Sequence, residues 1–197
     1  RGAASLAESA CRLEMDILRE PIGKQDAYAS AFGGMRAFTI NEQGMVSVQP
    51  GIDWRIQEKL EQRLQLYFTG YSRSASAILA PVAAGGFDDN LRQIHEYGTE
   101  MVGAIQEASL WEVGSILSHQ WRLKCERSPD ATNKYIERLY AHGLMHGATG
   151  GKLVGAGGGG FLLFYTTEPE QLRAAMVGRA EELPFRFDDE GTQVMFQ

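Results

Sequence analysis

The chain has 197 residues, 44% of them hydrophobic, enough for one large or two small globular cores. Its 25 acidic residues outnumber 19 basic ones, a net charge of −6, which argues against nucleic acid or an anionic membrane surface as the main partner. No run of 18 apolar residues suits a membrane-spanning helix, and Cys11 and Cys125 read as separate buried thiols of a reducing compartment.

The chain opens without Met, inside what reads as a helix, so a C-terminal piece of a longer protein is expected. Over residues 3–19, Leu6, Ala10, Leu13 and Ile17 form one apolar stripe, and Glu8, Arg12, Asp16 and Arg19 form the opposite face. Glu14 falls outside that polar face, beside Ala7, Cys11 and Leu18. A carboxylate there either reaches past the boundary to solvent or answers to a cation or a charge partner. Pro21 ends the helix. The polar segment 20–29 reads as a turn with solvated charges; alternatively Lys24 and Asp26 face one pocket, the lysine lowering the carboxylate's pKa and offering charge to a phosphate.

Residues 35–49 alternate as a hairpin around a turn at Asn41–Gly44, and Asp53–Leu60 reads as a short helix or irregular chain. A strand over 64–69 leads into Gly70–Ala75, which opens a helix to about Leu79. The free N–H groups of such a helix start, beside Ser72, Arg73 and Ser74, suit an anion, although an ordinary strand-to-helix turn looks the same. Two helices are expected over 88–126 and one from Asp130 to about His146. His142 and His146 are four apart but lack a third ligand, so no metal is expected there. A strand at Phe161–Tyr165 follows, then a helix from a Thr167–Glu170 capping box to about Ala180. A closing hairpin is expected from 185–187 and 193–196 around Asp188–Gly191. This order predicts an α+β architecture of the split β-α-β kind, helices on one face of an antiparallel sheet.

Nine of the 23 glycines lie between Gly143 and Gly160. Such a density is destabilising unless the backbone must approach something closely, often a phosphate. Gly155–Gly160 matches G-x-G-x-x-G, but the run precedes a strand where a dinucleotide fingerprint opens a helix. A phosphate-loop Lys-Ser or Lys-Thr is missing too. What remains is a glycine-rich turn entering a sheet.

The stretch Lys152–Phe161, with its Gly155-Ala156-Gly157-Gly158-Gly159-Gly160 core, resembles the third motif of the GHMP kinases. Glu20–Asp26, Phe32–Gly34, Tyr67–Ala75 and Pro184–Phe187 resemble the sugar-1-kinase branch, so the likeness runs along the whole chain. It implies the end of a GHMP N-terminal domain at 1–62 and a ferredoxin-like C-terminal domain of antiparallel sheet and helices at 63–197. It implies an ATP- and Mg2+-dependent enzyme that phosphorylates a sugar hydroxyl, the anomeric one of a phosphorylated heptose. Asp26 would be the catalytic aspartate, Lys24 a phosphate or aspartate contact, and Glu14 the magnesium ligand. Gly155, Ala156, Gly157, Gly158, Gly159 and Gly160 would line the cofactor site, and Arg73, Ser72 and Ser74 would hold the sugar or its phosphate. The implied partners are a small-molecule sugar or sugar phosphate and ATP, with no nucleic acid and no membrane, in a cytoplasmic homodimer. The family's second motif, a Pro-x-Gly-Leu-Gly-Ser-Ser-Ser loop around the nucleotide phosphates, does not occur in these 197 residues. The chain alone is therefore not expected to turn over ATP. Kinases of fucose, N-acetylhexosamine or uronic acid fit the same pattern. A non-catalytic sugar- or nucleotide-binding module fits less well, because it would need none of Glu14, Asp26 and the glycine run.

Overall fold

In the computed structural model, which describes residues 2–71 and 86–193, the chain divides into two units: residues 1–57 with 186–197, and residues 58–185. The helix expected from Gly70 to Leu79 lies largely outside the described residues.

The first unit is built on two helices, α1 (Ala3–Cys11) and α2 (Gln25–Phe32). A single α-helix over 3–19 was expected; instead α1 passes into a π-helical stretch, Arg12–Ile17, where the Leu18 N–H reaches back five residues to the Leu13 carbonyl (2.9 Å). The buried face of α1 is Ala7 and Cys11, and the predicted stripe ends exposed, Leu13 at 50% and Ile17 at 62%. Small side chains won that face because they let α2 approach: Tyr28 and Ala31 pack against them. Helix α2 stands where a turn was expected. Its polar residues face out while Ala27, Tyr28, Ala31 and Phe32 supply an apolar side. It ends at Gly33, whose φ of +62° suits glycine.

The predicted hairpin forms, β1 (Phe38–Ile40) against β2 (Val46–Val48), with the Asn41 side chain accepting the N–H of Gln43 (3.1 Å) and Met45 (2.8 Å). Phe38 meets Tyr28 and Phe32 edge-on at 6.0 and 6.2 Å between ring centres. Helix α3 (Trp54–Glu61) settles the helix-or-irregular alternative, with Asp53 Oδ1 accepting from the Arg55 N–H at 2.8 Å.

Most of the second arm of the expected closing hairpin, 194–196, lies outside the described residues, and residues 183–193 are in no strand. Residues 188–192 dock on the end of α2 instead. The Gly34 N–H donates to the Asp188 carbonyl (2.5 Å), and the Thr192 hydroxyl donates to the Ser30 carbonyl (3.0 Å). A Cβ on Gly33 would lie 2.3 Å from the Gly191 nitrogen, so this docking requires glycine.

The second unit carries an antiparallel sheet in the order β4-β5-β3-β6: β3 (Leu64–Phe68), β4 (Ala148–Leu153), β5 (Phe161–Thr166) and β6 (Glu181–Glu182). Among the described residues its α-helices are α4 (Asp88–Gln106), α5 (Val113–Arg127), α6 (Lys134–Met145) and α7 (Pro169–Met176). A 3-10 turn at Pro129–Ala131 links α5 to α6. The architecture is α+β, as expected. Tyr67, Leu153, Leu162, Phe164, Trp121, Ile136, Leu139 and Leu172 form its core. Buried Gln65 is satisfied there, donating to the Pro169 carbonyl (2.9 Å) and accepting from the Tyr67 hydroxyl (2.8 Å). At α7 the local bond comes from Thr166, whose hydroxyl accepts the Glu168 N–H (2.9 Å), in place of the predicted Thr167 box, and the helix ends at Met176 rather than near Ala180.

Strand β4 was not foreseen, because Ala148-Thr149-Gly150-Gly151-Lys152-Leu153 has almost no β-forming pattern. Its glycines admit helix α5 onto the outer edge of the strand. A Cβ on Gly150 would lie 1.8 Å from the Gly114 carbonyl oxygen, and one on Gly114 would lie 2.4 Å from Thr149 Oγ1. The free edge of Gly151 is closed by side chains: its N–H donates to Ser118 Oγ (3.2 Å) and its carbonyl accepts from the Tyr140 hydroxyl (3.2 Å). Gly143 on α6 takes the Phe164 ring at a distance no Cβ permits. Much of the glycine density thus serves packing within the protein. Gly150→Ala is expected to cost about 3 kcal/mol or more, since backbone must move, whereas Gly155→Ala, in open space at φ +75°, should cost about 1–2 kcal/mol. Urea unfolding followed by circular dichroism measures both, and equal losses would contradict the α5–β4 contact.

Candidate functional site

In the first unit a charge lock joins α1 to α2. Lys24 Nζ donates to both carboxylate oxygens of Glu8 (2.8 and 3.0 Å), and the Tyr28 hydroxyl donates to Glu8 Oε1 (2.6 Å). The Lys24 ammonium and then the Tyr28 hydroxyl hold the Glu8 carboxyl below its ordinary range, while burial and Glu8 push Tyr28 up to about 12. Lys24 is therefore engaged by Glu8 and makes no ion pair with Asp26.

Asp26 is exposed in the first turn of α2. It shares a stripe with Ala29, Ser30 and Gly33, at spacings of three, four and seven residues. Those three residues, with Gly34, Asp188, Gly191 and Thr192, line a polar cavity of about 300 Å3. Asp26 thus stands one helical turn from residues that line this cavity, three of whose walls are glycines. Glu14 is half-buried in the π-helical stretch, and its carboxylate has no hydrogen-bond or ion-pair partner among the described residues. No group of three or more His, Cys, Asp or Glu side chains among them is arranged to hold a metal ion. A hydrated magnesium ion that also takes phosphate oxygens needs one or two carboxylates, so a lone, unpartnered Glu14 fits it.

In the second unit the glycine run is the β4–β5 connection, residues 154–160. A strand therefore precedes the run as well as following it, and the missing helix still excludes a dinucleotide turn. Gly155, Gly157, Gly158 and Gly160 have positive φ, from +73° to +120°. The loop is pinned at two points: the Gly158 N–H donates to the Ala131 carbonyl (2.7 Å) and the Gly160 N–H to the Tyr71 carbonyl (2.8 Å). The amides of Gly155, Ala156, Gly157 and Gly159 have no acceptor among the described residues. Three cations stand at its base. Lys124 Nζ donates to the Gly155 carbonyl, Lys152 Nζ donates to Gln120 Oε1 (3.1 Å), and Arg127 has a buried Nε without a partner. Burial, then Lys152 and Arg127, draw Lys124 down to about 8; burial also lowers Lys152 and Arg127.

Ser72, Arg73 and Ser74 lie outside the described residues. A larger cavity, about 410 Å3, opens beside Gln65, Arg173, Glu182 and Phe185, and none of the predicted site residues lines it. Sequence reasoning missed Glu8, Tyr28, Lys124 and Arg127. Glu8 and Lys24 are sixteen residues apart, and only the α1–α2 pairing joins them. Lys124 and Arg127 lie in the last turn of α5, which its apolar spacing alone had marked. Cys11 is buried and Cys125 half-buried, both free, and burial raises both thiols. No helix among the described residues is long and apolar enough to cross a membrane.

No family model matches the chain. A curated relative does: D-glycero-alpha-D-manno-heptose 7-phosphate kinase of Campylobacter jejuni, 30% identical over 200 residues, covering 98% of this chain and 59% of that protein. The bifunctional fucokinase/GDP-fucose pyrophosphorylase of Arabidopsis thaliana is 32% identical over 168 residues, 77% of this chain and 15% of that protein. Among solved structures, a D-glycero-D-manno-heptose 1-phosphate kinase from Bacteroides thetaiotaomicron superposes with a TM-score of 0.69 at 25% identity, covering 96% of this chain and 54% of that one. The chain thus spans little more than half the length of the heptose kinases it resembles. Over that span, by sequence and by fold, it resembles the GHMP kinases.

Proposed function

We propose that the chain forms part of an ATP-dependent sugar kinase, which transfers the γ-phosphoryl group to the anomeric hydroxyl of D-glycero-D-manno-heptose 7-phosphate. The observation that carries this reading is Asp26 on the same α2 stripe as Ala29, Ser30 and Gly33, which line a polar cavity. The 30% identity to a heptose 7-phosphate kinase along nearly the whole chain supports the choice of sugar.

Phosphoryl transfer asks a protein mainly for positioning and for neutralising charge. The cavity at Gly33, Gly34 and Gly191 takes the acceptor, and Asp26 orients the attacking hydroxyl or accepts its proton. Glu14 holds a magnesium ion, which supplies charge neutralisation to the phosphates when bound. The unpaired amides of the 154–160 connection offer donors to phosphate oxygens. Lys24 contributes through Glu8, fixing the α1–α2 pair that carries Glu14 and Asp26. Arg73, Ser72 and Ser74 are proposed to contact the sugar or its phosphate, on sequence grounds. The identity to a fucokinase favours fucose as the second reading for the acceptor.

Two outcomes test this. Asp26→Asn, in the protein at the full length of its relatives, is expected to lower kcat by about a hundredfold or more with the unfolding midpoint unchanged. A rate near wild type would remove Asp26 from the chemistry. The 197 residues alone, given ATP, magnesium and a panel of heptose 7-phosphate, fucose and N-acetylhexosamines, should release no ADP above background. Steady turnover by this chain would show that it needs no further phosphate loop.

A further inference from the structure

We propose that Lys124, Arg127 and Lys152 form a binding site for a phosphate group, at the base of the β4–β5 connection. The inference rests on the kinase reading only for the source of that phosphate. Helix α5 lies along the outer edge of β4, so that Gly114 meets Gly150, Ser118 meets Gly151, Gln120 meets Lys152 and Lys124 meets Gly155. This alignment carries Lys124 and Arg127, in the last turn of α5, to the point where the chain leaves β4.

Three features there point to an anion. None of the three cations pairs with a carboxylate among the described residues, whereas Arg122 on the same helix pairs with Glu126. Like charges gathered in a half-buried place are costly unless something neutralises them. Lys124, lowered by burial and then by Lys152 and Arg127, is the symptom of that cost. Next, the Arg127 Nε and the Thr132 hydroxyl are buried without partners, either side of the Pro129–Ala131 turn. Native proteins rarely leave such atoms unpaired, and a phosphate oxygen would take up the N–H. Last, the turn between them is itself locked to the loop, through Gly158 to Ala131 and through Gly157, whose Cβ would lie 2.8 Å from Ala131 Cβ. The unpaired amides of Gly155 and Ala156 belong to the same corner.

The phosphate is either the one a sugar phosphate already carries or one from the nucleotide, and the two differ in what competes. Inorganic phosphate is titrated against the 197-residue chain by calorimetry and by thermal unfolding, with sodium chloride at equal ionic strength as the control. Phosphate should bind and raise the unfolding temperature beyond the chloride control. Lys124→Gln and Arg127→Gln should each weaken it about tenfold. Lys152→Arg, which keeps the charge, should retain it. Lys124→Gln should also be more stable than wild type in phosphate-free buffer, an effect opposite to that of a lysine kept for structure alone. Displacement by heptose 7-phosphate assigns the site to the acceptor, and displacement by ADP assigns it to the nucleotide; either supports the proposal. No binding beyond chloride, or undiminished binding in both Gln variants, overturns it. Because no turnover is read, phosphate binding survives even if the kinase reading fails.

Discussion

The contact on which the second unit depends is backbone against backbone: Gly114 of α5 on Gly150 of β4. Without Cβ atoms at either position the helix comes close enough for Ser118 and Tyr140 to reach the peptide group of Gly151. An edge strand poor in β-forming residues is thereby closed off and held. The same contact fixes where β4 stops, hence where the 154–160 connection begins and which charges surround it. A larger residue at 114 or 150 would do more than open a gap. It would slide the basic end of α5 away from the glycine loop.

The first unit solves its positioning by charge. Glu8 is reached by an ammonium and a phenol from α2, and the buried pair Tyr28 and Ala31 packs beneath them on Ala7 and Cys11. The lock sits at the N-terminal end of α2, beside Asp26, while the far end is clamped by residues 188–192. An exposed carboxylate between two fixed ends has little freedom to drift. Rigid support of this kind is what the orienting role proposed for Asp26 requires.

What could be read from the sequence followed the strength of local pattern. The β1–β2 hairpin was legible because Asn41–Gly44 has a turn chemistry with one outcome, and α4, α5 and α6 because their apolar spacing is regular. Strand β4 was not legible, since its glycines answer to a neighbour 36 positions earlier in the chain, Gly114 against Gly150. The π-helical stretch after Cys11 was equally invisible: Leu13 and Ile17 keep helical spacing, yet the buried face belongs to Ala7 and Cys11. The docking of Asp188 and Gly191 on the end of α2 was not legible either, because that partner lies more than 150 residues away. At the candidate site, Glu14 and Asp26 were named by motif likeness; the cavity beside Asp26 and the cations around Gly155 emerge only from the fold. Both are assembled from segments with no common sequence signal.

The sheet also dictates an order of assembly. Strand β3 sits between β5 and β6, and Tyr67 faces Leu162, 95 positions later. Closing so long a segment is entropically slow compared with docking helices that adjoin in sequence. Helices α4, α5 and α6 with the β4–β5 hairpin form a locally connected block, so they should gather first and β3 should insert last between β5 and β6. Pulsed hydrogen exchange during refolding would then protect Leu117 and Leu139 amides before those of Leu66 and Phe68. Until β3 arrives, β5 presents an open apolar edge, and the interval before insertion is when this chain is most exposed to association with its own kind.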